Sequence, residues 1–265
     1  MSDPIENLRS RIEALNDAAL PLDSIERLSV VNCGGLHHLE FYGDCFGQAY
    51  QDLCETLSDP EVAQGIVSIS LRGPDEGANG TKNWDLEPLV ANRHGFPNLQ
   101  TLSFELNRPG DHNRIVIASS FDEDGVIARF VSRCPNLTYL TIPSAPSPDF
   151  FATPLKSLRF LSVDAGYDTQ DFLHHLGNSQ NLPSLKNLQW GEYSEYYLDD
   201  WRASCTPFAD YKKLFSSSAF EKVKGFTLRQ PNLTTEQIAE LQTARPDLQF
   251  MLIRHGSEYV KASNH

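Results

Sequence analysis

The chain repeats one short hydrophobic phrase: apolar, two variable, apolar, one variable, apolar. It reads LHHLEF over 36–41, IVSISL over 66–71, LQTLSF over 99–104 and LTYLTI over 137–142. It returns as LRFLSV over 158–163, LKNLQW over 185–190, VKGFTL over 223–228 and, less cleanly, LQFMLI over 248–253. Alternation of apolar and variable positions is the period of a strand with one buried face. A phrase that recurs along the chain predicts stacked copies of one supersecondary unit. Successive starts lie between 21 residues apart (137 to 158) and 38 apart (99 to 137, and again 185 to 223). The long units are therefore expected to hold insertions, which in stacked-repeat proteins map to loops on one face.

Helical patterns fill the intervals. Residues 4–20 carry Ile5, Leu8, Ile12, Leu15 and Leu20 as an apolar stripe, with Pro4 near the start. Further helices are expected at 47–57 and near 84–94, 122–133, 168–176, 207–218 and 234–244. Ser58 with Glu61, and Thr234 with Gln237, have the form of capping boxes. Ile25, Leu28 and Val30 predict a strand pairing with 36–41 across the Asn32-Cys-Gly-Gly35 turn. The expected organisation is one α/β domain: an N-terminal cap over 1–35, then a solenoid of about eight irregular repeats over 36–265. Parallel strands would line a concave side and helices a convex side. Positions one, four and six of each phrase would point inward and stack on their counterparts, so a charge at Leu102 would be buried without a partner.

The phrase resembles the leucine-rich repeat, LxxLxLxxN, over about residues 36–253, and the strand–helix alternation resembles its ribonuclease-inhibitor type. LSDPEVAQGIVSISLRG (57–73) and NLPSLKNLQWGEYSEYY (181–197) resemble segments of irregular bacterial cytosolic leucine-rich-repeat proteins. The biochemical function of that group is mostly unassigned. The asparagine of the pattern is met cleanly at Asn107, while Asn232 falls one place late. Other groups are therefore expected to replace the asparagine ladder of the regular repeat.

Composition narrows the partners. The chain has 265 residues, is 40% hydrophobic and carries a formal net charge of −13. That balance argues against nucleic-acid backbones and anionic membrane surfaces, which require clustered Lys and Arg, and it can steer a basic protein partner. No segment has the apolar run of a signal peptide or a membrane span. The five cysteines, Cys33, Cys45, Cys54, Cys134 and Cys205, are scattered and read as reduced thiols of a cytoplasmic protein. The N-x-T triplets at Asn79, Asn136 and Asn232 are read as chance matches.

Motifs for catalysis are absent: there is no GxSxG, HExxH or GxxxxGK[ST]. Gly77–Lys82 has the wrong spacing for a phosphate loop. Cys33, His37, His38 and Cys45 are zinc-ligand types, but the repeat sets them on turns and opposite faces. His174 and His175 read as helix-surface residues, and Asp164, Asp168 and Asp171 as turn and cap residues. No cofactor or metal is expected.

The strongest lead is the segment 190–201. Tyr193, Tyr196, Tyr197 and Trp201 there alternate with Glu192, Glu195, Asp199 and Asp200. Such aromatics are favoured interface anchors and the carboxylates suit a basic partner; packing of the same rings onto the repeat is the competing reading. Trp190 itself is expected in the core. The phrase also predicts which side chains stand on the concave wall, among them Tyr42, Arg72, Glu105, Tyr139, Phe160, Asp164 and Arg229. The expected function is a monomeric, non-catalytic protein-interaction module, in its specific form an acidic inhibitor or immunity-type protein. An enzyme with an improvised site near Asp164 and His38, and a scaffold, are the alternatives.

Overall fold

The computed structural model describes residues 3–18, 25–75, 80–91, 94–108, 111–118, 123–194 and 199–254. The chain opens with α1 (Pro4–Ala18), whose Ile5, Leu8 and Ile12 are buried. Leu15 is 37% exposed, so the inward stripe is shorter than the apolar pattern. Leu20 lies outside the described residues. β1 (Arg27–Cys33) and β2 (Leu36–Tyr42) form an antiparallel hairpin closed by Gly34 and Gly35. Both glycines have positive φ, 63° and 84°, which a two-residue hairpin turn of this hand requires. Asn32 Oδ1 accepts from Gly35 N at 3.1 Å and ties the turn shut.

The elements that follow are α2 (Gln48–Leu57), α3 (Pro60–Gly65), β3 (Ile66–Arg72), β4 (Gly80–Asn83), α4 (Glu87–Ala91), β5 (Thr101–Phe104), β6 (Asn113–Val116), α5 (Val126–Val131) and β7 (Tyr139–Ile142). Then come α6 (Asp149–Ala152), β8 (Phe160–Asp164), α7 (Phe172–Asn178), β9 (Asn187–Gly191), a 3-10 turn (Trp201–Ser204), α8 (Phe208–Phe215), β10 (Gly225–Arg229), α9 (Thr235–Ala244) and β11 (Gln249–Ile253). Nine strands form one sheet in the order β1-β2-β3-β5-β7-β8-β9-β10-β11. From β2 onward every neighbouring pair is parallel. The fold is therefore mixed α/β, with a mostly parallel sheet whose strand order follows chain order. The two strands left out, β4 and β6, pair with each other as a second small parallel sheet.

The phrase explains the core. Its inward positions Ile66, Ile69 and Leu71, then Leu99, Leu102 and Phe104, are at most 2% exposed. The same holds for Leu137, Leu140, Ile142, Leu158, Leu161, Val163, Leu185, Leu188, Trp190, Val223, Phe226 and Leu228. Helix residues such as Leu53, Phe130, Leu173 and Leu214 belong to the same cluster, so the helices cover this face. The end phrases differ. Leu36, beside the hairpin turn, is 39% exposed. In the last phrase the register slips by one: Phe250 pairs with Phe226 and Leu252 with Leu228. Met251 is thereby turned to the other face, at 50% exposure.

Two caps show how local chemistry sets boundaries. Thr234 and Gln237 form the expected reciprocal box at α9. At α3 the cap is Asp59, not Ser58: Asp59 Oδ1 accepts from Glu61 N at 2.8 Å, with Pro60 at the first helical position. Ser58 ends the preceding helix, its hydroxyl donating to Cys54 O at 2.8 Å.

Candidate functional site

The face away from the helices carries the alternate residues of each strand, and the pairing sets them in three rows across the sheet. The first runs His38, Ser68, Thr101, Tyr139, Phe160, Asn187, Gly225. The second runs Glu40, Ser70, Ser103, Thr141, Ser162, Gln189, Thr227, Met251. The third, at the C-terminal ends of the parallel strands, holds Arg27, Tyr42 and Arg72, then Asp164, Gly191, Arg229 and Ile253. Glu105 joins the third row through its N–H, which donates to Leu71 O at 3.0 Å.

Tyr139 and Phe160 stand on neighbouring strands with rings parallel and centroids 4.2 Å apart, both half-buried. Beside them the middle row is built of small hydroxyl residues and lies deep: Ser162 is 1% and Thr141 7% exposed. Among the described residues the Thr141 hydroxyl has no hydrogen-bond partner.

Asp164 and Arg229 close the third row. They sit two strands apart, with Gly191 between them in register, and Arg229 Nη2 meets Asp164 Oδ1 at 2.9 Å. A Cβ on Gly191 would fall 2.0 Å from that oxygen, so the pair exists because this position lacks a side chain. Asn107 N donates to Asp164 Oδ2 at 3.3 Å. The Asn107 amide also bonds both ways to the Ile115 backbone, accepting from its N–H at 2.8 Å and donating to its carbonyl at 3.3 Å. Burial pushes the Asp164 carboxyl above the usual carboxylate range, against the opposing pull of Arg229 and Asn107.

A cleft of about 480 Å³ opens at the β1–β2–β3–β5 end of the same row, lined by Arg27, Ser29, Glu40, Tyr42, Arg72, Gly73, Asp75, Lys82, Glu105, Arg108 and Asp111. Its back wall comes from the small sheet. Lys82 Nζ, in β4, donates to Glu105 Oε1 at 2.9 Å and to Gly73 O at 3.1 Å. Gly73 N donates to the same Glu105 oxygen at 2.8 Å. Asp75 accepts from the backbone N–H groups of His112 and Asn113 and from His112 Nδ1 at 3.0 Å. Burial alone would raise its carboxyl; these bonds overcome that and hold it below 3.8. On the open side, the Arg27 guanidinium lies 5.0 Å above the Tyr42 ring.

The predicted site residues divide. Tyr42, Arg72, Glu105, Tyr139, Phe160, Asp164 and Arg229 all lie on the open face or its rim. Glu195, Tyr196 and Tyr197 lie outside the described residues. In the rest of the 190–201 segment Glu192, Tyr193 and Trp201 pack inward, at 5%, 6% and 9% exposure, while Asp199 and Asp200 are exposed. Glu192 accepts from Tyr193 N (2.9 Å), Thr206 N (3.2 Å), Trp190 Nε1 (3.3 Å) and Tyr211 Oη (2.6 Å). These three side chains leave little surface for a partner, so an anchor role for them does not match their position. His38 and Asp164 are four strand spacings apart, roughly 19 Å at the usual ~4.8 Å repeat, and do not assemble one site. Cys33 and Cys45 flank opposite ends of β2, the first exposed and the second buried.

The residues missed from sequence are Arg27, Asp75, Lys82 and Arg108. Arg27 was recoverable: a two-residue turn pairing Cys33 with Leu36 sets Arg27 opposite Tyr42. No family model matches this chain, and no curated protein does. Among the described residues no helix is long and apolar enough to cross a membrane.

Proposed function

We propose that the chain is a leucine-rich-repeat solenoid of irregular type that binds another protein on its open, concave sheet face. Strands that neighbour one another in chain order, with a helical segment in each parallel step of the main sheet, support the solenoid reading. The observation that carries the binding role is the Tyr139–Phe160 stack: two half-buried rings on a face that no helix among the described residues covers. Aromatic rings so placed bury large area with few rotamers lost and favour protein contacts. Polar rows on both sides would fix orientation. The net charge of −13 favours a partner with a basic surface overall, through long-range steering.

The test is affinity capture with the full chain, comparing wild type with Tyr139→Ser/Phe160→Ser. A specific protein retained by wild type and lost by the variant, with melting of the two alike, is the expected result. An identical set of retained proteins would reject this face as the binding surface.

A further inference from the structure

The cleft beside Tyr42 has balanced formal charge but unbalanced hydrogen-bonding capacity. Its lining holds four cations, Arg27, Arg72, Lys82 and Arg108, and four carboxylates, Glu40, Asp75, Glu105 and Asp111. Three of the carboxylates are turned to the protein itself. Glu105 accepts from Lys82 and Gly73 N. Asp75 accepts from His112 and Asn113. Asp111 Oδ2 accepts from Arg108 N at 2.7 Å. Lys82 is the one cation spent in the same way, 8% exposed and bonded to two acceptors. The arginines are not. Arg27 and Arg108 are exposed, and among the described residues neither guanidinium has a carboxylate within ion-pair distance. Arg72 meets Glu40 loosely, at 3.8 Å, with both side chains about half exposed (51% and 53%).

Three guanidiniums, each with five N–H donors and no acceptor, thus surround a cleft whose own acceptors are largely occupied. Arg27 is held over the Tyr42 ring, which limits the freedom it would lose on binding. Arg forks match the oxygens of phosphate in bidentate fashion. We propose that this cleft binds an anionic group of the phosphate class through Arg27, Arg72 and Arg108, with Glu40 competing for Arg72. The volume, about 480 Å³, leaves room for the group that carries the phosphate. The inference goes beyond the protein-binding face and does not depend on it, because the cleft lies at one end of the third row, away from Tyr139 and Phe160. It is also opposed by the charge of the whole chain, so saturable anion binding here would have to come from local geometry.

The experiment is calorimetric titration of the full chain at low salt with pyrophosphate. A parallel arm uses a short peptide carrying phosphoserine and its unphosphorylated twin. Saturable binding that weakens as salt rises is expected. Arg72→Gln/Arg108→Gln should weaken it by about tenfold or more, while Glu40→Gln should tighten it. These positions are exposed, and melting curves confirm that each variant is folded. Preference for pyrophosphate assigns a free phosphate ligand, and preference for the phosphopeptide assigns one borne on a protein. Equal affinity in wild type and Arg72→Gln/Arg108→Gln would overturn the proposal, as would no saturable binding in either arm.

Discussion

Glu192 lies near the start of the 190–201 segment, and its replacement decides between binding and packing. Its carboxylate is 5% exposed and accepts from four donors, the N–H groups of Tyr193 and Thr206, Trp190 Nε1 and Tyr211 Oη. The structure thus predicts that Glu192→Ala strands four donors at once. Each buried donor left without a partner costs about 1–3 kcal/mol, and some recover water once the side chain is gone, so a loss of about 4–6 kcal/mol is expected. Tyr211→Phe removes one donor and keeps the carboxylate, so it should cost only about 1–2 kcal/mol. Glu192→Gln falls between them. Its amide oxygen can still serve two donors and the Tyr211 hydroxyl can turn to accept, but the indole N–H cannot accept. Urea unfolding followed by tryptophan fluorescence measures all three against wild type. Glu192→Ala within about 1 kcal/mol of wild type would refute the packing account, since no arrangement of four orphaned buried donors is that cheap.

Leu102→Asp should fail to fold or lose more than about 4 kcal/mol, because Leu102 is 2% exposed and flanked in register by Ile69 and Leu140; soluble yield and circular dichroism check it. Gly191→Ala should break the Asp164–Arg229 pair and cost about 3 kcal/mol or more, read by melting; an unchanged melting point would show that the carboxylate moves aside freely. Thiol titration should label Cys33 alone in the native protein. Burial pushes Cys45, Cys54, Cys134 and Cys205 up to about 12, so these four should react only in denaturant, and rapid native labelling of a second thiol would contradict this. Asp75 is held below its ordinary 3.8, so its stabilising contribution is full above that value and is lost as pH falls through the lowered one; Asp75→Asn should flatten this acid limb of the stability curve.

The sequence made the sheet legible because its signal is repeated. Each buried strand position is stated again in the next unit, so one irregular copy does not obscure the pattern. Where the repetition ends, the reading weakens. At the last phrase three apolar residues in a row, Met251, Leu252 and Ile253, fit two registers equally well. Pairing with Phe226 and Leu228 chose the one that turns Met251 outward. The separate β4–β6 pair was invisible for a different reason. GTKN and NRIV are four residues each, too short for periodicity to register, and they are held by long-range partners such as Trp84 N to Val116 O at 3.0 Å.

The site shows the same limit at the level of single side chains. Alternation correctly set Tyr42, Tyr139, Phe160 and Arg229 on one face. It could not tell a free charge from a spent one. Asp164 and Arg229 are 65 positions apart in sequence and meet only because a glycine separates their strands. Lys82 and Glu105 meet because two insertions happen to form their own sheet beside the main one. Composition misleads here as well. An overall charge of −13 suggests an acidic surface everywhere, yet folding consumes Glu105, Asp75, Asp164 and Glu192 in internal bonds. The arginines at the cleft mouth are left with unused donors. Net charge steers partners through a long-range attraction that is largely screened beyond the Debye length, about 10 Å at ordinary salt. Inside that distance, what is recognised depends on which groups the fold has left unpaired, and at the cleft beside Tyr42 those groups are guanidiniums.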